Sequence, residues 1–453
     1  MTKPFLKRFY ENTKIFLPLG YTSFGGPNAH IGILHNLLVE KHGWLNDQTF
    51  SELYSICQAL PGPSSTQLAY SLGVVHDGFL IGIWDFLLWS IPMGVVMALI
   101  GLVVARQSTL DPDHEFPLVV IYLTQGLASA AIGLIVLAAY KLHLANAIDS
   151  ITKIIVFLTA SIAILYSAPW LYPILMLASG CFTLFYYLCR EKQEPSITST
   201  EHQEENNDQG RIRLPITDEE EGQNGEDTLI QYPITFSGIF FTIWLVLFIL
   251  AILARFLLLP SATTKEATPL SILSVFYFVG SIIFGGGPVV IPLLQGYTQD
   301  WVTSSQFVLG LAIQNSLPGP NFNFATYLGA IALSSNPIGS NVLGALLGFI
   351  GIFLPGILLQ SAVIPCWQYV RSNQKVKLIF RGVNAAATGL VFSTIWILWN
   401  QINQERHNSS ESLHFVIAVM TFVLSEQFHV STPLVVILGG LIGLLEWFLS
   451  VYL

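Results

Sequence analysis

Ser23-Phe24-Gly25-Gly26-Pro27 and Leu60-Pro61-Gly62-Pro63 stand near the start of the chain. Ile283-Phe284-Gly285-Gly286-Gly287-Pro288 and Leu317-Pro318-Gly319-Pro320 repeat them in the second half. All four motifs sit inside strongly apolar stretches. A glycine costs about 1 kcal/mol and a proline about 3 in a helix interior. Breaking a helix in lipid also frees backbone N–H and C=O groups, which protein or a water-filled cavity must satisfy. Gly/Pro-broken hydrophobic segments, paired across two halves of a chain, point to the substrate site of a secondary transporter.

The composition agrees. Of the 453 residues, 53% are hydrophobic and 10% charged, against about 25% charged in soluble domains. Several runs approach or exceed the roughly 20 residues that span a bilayer. The alternating segments of a membrane β-barrel are absent. The chain reads as an all-α polytopic membrane protein. Lys3, Lys7, Arg8 and Lys14 precede the first apolar run. That run continues into the first Gly-Gly-Pro motif, which predicts an uncleaved span rather than a signal peptide. Cys57, Cys181, Cys189 and Cys366 form no C-x-x-C pair and fit small buried hydrophobes. No P-loop, H-E-x-x-H or G-x-S-x-G motif is present, so an ATP-driven pump and an intramembrane hydrolase lack support. The sequence predicts no catalytic residue, cofactor, metal site or nucleic-acid partner.

Laid over each other, the halves match in one order. Phe24 pairs with Phe284, Ile31 with Ile291, Trp44 with Trp301, Phe50 with Phe307, Pro92 with Pro355 and Pro173 with Pro433. Gly126 to Leu134 pairs with Gly382 to Leu390. The expected spans are 15–38, 49–73, 78–105, 117–141, 151–167 and 169–189, then 271–295, 306–333, 338–366, 378–400, 412–424 and 431–452. Residues 1–189 and 261–453 are thus read as homologous membrane repeats of six segments each. Residues 236–260 are an unpaired transmembrane helix, giving about 13 segments. Residues 190–235 read as a disordered acidic linker. Its stretch 190–227 holds 12 acidic and 4 basic residues, so most of the net charge of −9 belongs there. Ser196, Thr198, Ser199 and Thr200 are phosphorylation candidates in it; a solvated tether is the simpler reading.

Six spans plus one would insert the second half upside down, making an inverted repeat. Basic residues test this. With the N-terminus inside, the inner loops hold Lys3, Lys7, Arg8, Lys14, Lys141, Lys153, Arg190, Lys192, Arg371, Lys375, Lys377 and Arg381. The outer loops hold Lys41, Arg106, Arg255, Lys265 and Arg406. The bias follows the positive-inside rule and puts the N-terminus and linker in the cytoplasm. Asn408-Ser409-Ser410, an acceptor tripeptide for glycosylation, falls in an outer loop. An alternative stays open: if each Leu-Pro-Gly-Pro segment re-enters instead of spanning, five spans per half remain and the halves run parallel.

The candidate site residues follow from the breaks. Gly25, Gly26, Pro27, Gly285, Gly286, Gly287 and Pro288 would begin half-helices whose free N–H groups and dipoles favour an anion. Pro61, Gly62, Pro63, Pro318, Gly319 and Pro320 follow the same logic. Gln58, Asn315 and Asn321 are flanking amides, with Ser64, Ser65, Thr66, Gln67, Ser316 and Asn323 beside them. These groups suit an oxyanion held by hydrogen bonds; helix–helix hydrogen bonding is the plainer explanation. Ionisable groups near membrane depth are few. His30 and Asp85 are the proton-coupling candidates, and Glu52 and Glu446 are weaker ones.

Ser23 to Ile31 and Ile283 to Pro292, together with the two Leu-Pro-Gly-Pro segments, resemble the paired signatures of the chromate ion transporter family, in its long, two-domain form. The resemblance spans roughly 10–189 and 270–452. It implies a secondary transporter that exports chromate, driven by a proton gradient or the membrane potential, and confers chromate resistance. Sulfate is the isosteric competitor. The readings kept beside it are a transporter of the same fold for sulfate or another small anion, and a passive anion channel. The expected setting is the plasma membrane, with a homodimer as one assembly.

Overall fold

The computed structural model describes residues 4–24, 26–110, 118–166, 168, 170–191, 234–258, 267–283, 289–333, 338–366, 374–404 and 410–452. Gly25, Phe284 to Pro288, the linker between 191 and 234, its phosphorylation candidates, and Asn408 and Ser409 lie outside the described residues. Among the described residues there is no strand. Seven helices among the described residues are long and apolar enough to cross a membrane, and Ser150–Leu165 and Pro269–Ile282 are shorter apolar helices.

The first half begins with α1 (Phe5–Thr22), α2 (Gly26–Leu34, extended by a π-helical stretch His35–Lys41), α3 (Asp47–Ala59) and α4 (Ser64–Asp77). Then come α5 (Phe79–Leu110), α6 (Leu118–Asn146), α7 (Ser150–Leu165) and α8 (Leu171–Glu191). The unpaired helix is α9 (Ile234–Leu258). The second half repeats the series as α10 (Pro269–Ile282), α11 (Val290–Thr298), α12 (Ser304–Ser316), α13 (Phe324–Ala332) and α14 (Ile338–Val363). It closes with α15 (Gln374–Gln404), α16 (Glu411–Glu426) and α17 (Thr432–Tyr452).

The first two segments of each half do not cross; they turn back at their breaks. Phe16 of α1 and Trp44 beyond α2 bring their rings within 6.1 Å. Cys57 of α3 and Ser71 of α4 both touch the Gln360 amide, at 3.4 and 2.7 Å. In the second half, Phe278 of α10 meets Tyr297 of α11 at 5.6 Å, and Phe307 of α12 meets Phe324 of α13 at 4.9 Å. Residues this far apart in sequence touch only if the chain reverses, since a continuous helix rises about 1.5 Å per residue. Each half therefore opens with two helical hairpins, where two of its six expected spans were placed. Two spans and two hairpins have the same parity, so the later helices keep their expected directions. Of the described outer basic residues Lys41, Arg106 and Arg255, Lys41 changes side, returning to the N-terminal face: Trp44 stacks on His76 at 4.1 Å, and Asp77 receives Arg8.

α9 joins the two halves, and the second is inverted relative to the first. The contacts show the inversion. Phe86 of α5 lies on Phe353 of α14, and Gly94 further along α5 lies on Phe349, so these equivalent helices run antiparallel. His143 and Asn146 of α6 meet Phe392 and Thr388 of α15, again antiparallel. The parallel arrangement considered above does not occur, because the Gly-Gly-Pro segments re-enter as well.

The halves are also exchanged. α6 packs on α16 and α17 of the other half, and α15 packs on α7 and α8. The contacts repeat: Gly133 rests on Ala418 and Thr421, and Gly389 on Val156 and Thr159. α9 lies outside this body, against α10 and α14.

Candidate functional site

The four hairpin tips meet. The N–H of Gly62 donates to the carbonyl of Ile283, and the N–H of Gly319 donates to that of Ser23, both at 2.8 Å. Each bond joins a Leu-Pro-Gly-Pro tip of one half to the residue before the Phe-Gly-Gly motif of the other. Gly62 has φ 126° and Gly319 φ 82°, in the region that favours glycine. No other residue turns the chain there as cheaply.

Five helices that begin at the outer faces are closed by side chains: Asn46 caps α3, Asp149 α7, Thr268 α10, Thr303 α12 and Ser410 α16, whereas α1 begins behind Pro4 without one. Helices that begin at the tips are not closed in this way. α4 starts behind Pro63, α11 behind Val289 and α13 behind Asn323, none with a side-chain cap. The carbonyls at the tips are paired instead. Ser23 O receives Gly319, Ile283 O receives Gly62, Pro320 O receives the Asn323 N–H at 3.0 Å, and Pro61 O receives Gln67 Nε2 at 2.9 Å. The carbonyls that end α1 and α10 are thus satisfied by protein, while α4, α11 and α13 begin without a side-chain cap. That asymmetry favours an anion.

His30 is fully buried at this junction. Nε2 lies 2.9 Å from Ser23 O, Nδ1 lies 3.3 Å from Ser65 Oγ, and the ring meets Trp89 edge-on at 5.2 Å. A carbonyl only accepts, so Nε2 carries hydrogen; in the neutral ring the Ser65 hydroxyl donates to Nδ1. His30 thereby helps hold the tip carbonyl. On residues that touch it or adjoin those in sequence, Ser23 Oγ, Thr66 Oγ1, Trp89 Nε1 and Ser90 Oγ are buried without a hydrogen-bond partner among the described residues. All four can donate to an oxyanion. Asn323 Nδ2 donates to Ser90 O at 3.0 Å and ties α13 to α5.

The other expected residues fall as follows. Gly26 opens α2, and the Asn321 amide stands 4.0 Å from where a Cβ on Gly26 would lie. Pro27 and Asn321 are half-buried; Pro61, Gly62, Pro63, Pro318, Gly319 and Pro320 are buried. Gln58 is half-buried and bonded to Tyr54 Oη on its own helix at 2.5 Å, and Asn315 is half-buried at the end of α12. Asp85 lies on α5 against Gly73 of α4, away from the tips. Glu446 pairs with His414 at 3.2 Å and joins α17 to α16, also away from the tips. Glu52 falls in α3, with its side chain outside the described set.

Sequence reasoning missed Trp89, Ser90 and Gln360. Gln360 is fully buried and holds α14 to the α3–α4 hairpin. As an amide five residues past Pro355 in an apolar helix, it was visible to a search for polar groups at membrane depth. Trp89 reads as any core aromatic until its ring is seen beside His30.

Residues 11–184 and 270–444 each match the family described as chromate transporter. The chain is 25% identical to the probable chromate transport protein of Synechococcus elongatus, over 96% of this chain and 95% of that one. It is 26% identical to the chromate transport protein of Pseudomonas aeruginosa, over 94% and 90%. With that of Cupriavidus metallidurans the identity is 23%, over 95% and 92%. No solved structure matches the chain. The family match falls once on each inverted half and covers the tips of both, so this integral membrane protein belongs to the chromate transporter family.

Proposed function

We propose that the chain exports chromate from the cytoplasm as a secondary transporter, driven by a proton gradient or the membrane potential, and so confers chromate resistance. The observation that carries this reading is the asymmetry at the tips: paired carbonyls, uncapped helix N-termini and unpartnered hydroxyl and indole donors. A tetrahedral dianion offers acceptors in every direction to such donors. The tip motifs contain no Lys or Arg, which suits a site that must release its anion. Hairpins that enter from opposite faces and meet at their tips support alternating access: opening one half's hairpins exposes the site to one side, and opening the other's exposes it to the other.

The test is labelled chromate transport in everted vesicles, with proton gradient and membrane potential set separately and unlabelled sulfate as competitor. Accumulation that follows one driving force supports the proposal. Movement that only dissipates a chromate gradient would make the protein a channel. Full displacement by equimolar sulfate would remove chromate as the preferred substrate.

A further inference from the structure

Asp85 is fully buried, and neither of its carboxyl oxygens has a hydrogen-bond partner among the described residues. It sits at a close contact of α4 and α5, its carboxyl against Gly73, whose nearest neighbour across the contact is otherwise Gly82. The second half shows what this contact needs structurally. There the matching position is Gly348, packed on the Ala325 carbonyl, and α13 and α14 close without any acid. The carboxyl is therefore surplus to the fold. An ionised carboxylate enclosed without a partner gives up its hydration for nothing, so the enclosed form is the neutral acid.

Its position links a face to the tips. About 10 Å back along α5 lies the α4–α5 turn at Gly78. Beside that turn, Asp77 Oδ2 accepts from Asn12 Nδ2 at 2.7 Å and meets His76 Nδ1 at 2.9 Å. Arg8 donates to the Asp77 carbonyl at 2.7 Å. The His76 side chain is 31% exposed and that of Asp77 10%. One helical turn forward from Asp85 is Trp89, whose ring meets His30. The ionisable groups on the elements packed around α5 are Lys7, Arg8, Tyr10, Glu11, Lys14 and Tyr21 of α1 and His76 and Asp77 of α4, with Tyr70 of α4 and Tyr327 of α13; α12 and α14 carry none.

We infer that Asp85 is the proton-binding site of the transport cycle, filled from the tip side past Trp89 and emptied toward the His76–Asp77 face as the α4–α5 contact opens. This rests on the secondary-transport reading above. One proton adds to a carboxylate oxygen on one side of the cycle and the same proton leaves that oxygen on the other, opposite in direction to the anion. No other bond changes and no electron moves.

The test uses the full chain in proteoliposomes, with wild type, Asp85→Asn and Asp85→Glu. Three assays are run: chromate–chromate exchange without a gradient, accumulation under an imposed pH difference, and accumulation under an imposed potential. Asp85→Asn should exchange chromate within about twofold of wild type, lose at least tenfold in pH-driven accumulation, and lose the pH dependence of its rate. Asp85→Glu should restore both. Wild-type pH-driven accumulation in Asp85→Asn would overturn the inference. So would an equal loss of exchange that Asp85→Glu does not repair, since that marks a packing role. The infrared carbonyl band of a neutral carboxylic acid, present in wild type and absent in Asp85→Asn, reads the site without chromate. If wild type moves no chromate in any assay, the transport reading fails and the band alone decides whether Asp85 holds a proton; its absence overturns the inference.

Discussion

The backbone N–H of Gly319 donates to the carbonyl of Ser23 at 2.8 Å, joining a hairpin tip of the second half to one of the first. Gly62 and Ile283 make the same bond with the halves exchanged. Two short bonds thus close the centre of the molecule, and each depends on a glycine at positive φ.

Gly62→Ala and Gly319→Ala should therefore behave alike. Each puts a Cβ where the backbone conformation costs about 1–2 kcal/mol, and at Gly62 the new atom lies 2.8 Å from Gln67 Nε2. Both variants should insert in the membrane, melt several degrees lower in detergent and transport chromate at least tenfold more slowly. A marked difference between them would mean that the two tips are not functional equivalents.

The inverted hairpins predict labelling from opposite sides. Lys41 ends the π-helical stretch after α2, and Asp300 is its near counterpart after α11; both are exposed. In a background with the four native cysteines replaced, Lys41→Cys should react with an impermeant thiol reagent from the N-terminal face and Asp300→Cys from the other. Reaction of both from one side would defeat the inverted arrangement.

His30 holds the Ser23 carbonyl and pairs with Ser65. His30→Ala strips both partners of a buried hydrogen bond, a cost of about 1–3 kcal/mol each at most. Transport should fall more than tenfold, with the loss seen in the melting temperature as well. Unchanged transport with an unchanged melting temperature would show that the tip does not need the imidazole.

Asp149, outside the spanning helices, caps α7 and meets Arg381 of α15 at 3.4 Å. Partial burial alone would raise its carboxyl pKa. Hydrogen bonds from Thr152 and Tyr187 and the Arg381 guanidinium outweigh this and hold it lowered to about 2. A depressed folded value gives stability that is present above the unfolded pKa and lost as pH falls from about 4 to about 2. The wild-type melting temperature should drop across that window, and Asp149→Asn, which keeps a capping side chain, should drop less. Equal drops would place the acid sensitivity elsewhere.

Glu446 accepts the Ser410 N–H at 2.6 Å and holds His414, whose Nδ1 lies 2.9 Å from Ser129 Oγ of α6. It is a joint between halves rather than part of the tips. Glu446→Gln should lower the melting temperature while leaving the KM for chromate of the folded protein unchanged. A raised KM would bring Glu446 into the transport path.

The apolar composition, the doubled Gly/Pro motifs and the odd helix 234–258 were legible in the chain, because lipid demands long apolar helices and tolerates breaks only where something satisfies them. Those features alone determined an all-helical membrane protein with an internal repeat, and they marked the breaks. Whether a broken segment crosses or turns back was not legible. A proline and a glycine stop a helix without saying where the next one points, and that direction comes from partners far along the chain: Gln360 holding Cys57 and Ser71, Ile283 receiving Gly62. Trp89 escaped notice for the same reason, since an aromatic in an apolar helix declares its role only when its neighbours are known, whereas the Gln360 amide stood in the chain to be found. The tertiary structure decided which carbonyls are paired and which helices begin without a side-chain cap, because both depend on groups brought together from the two halves, and the proposed anion site rests on that balance.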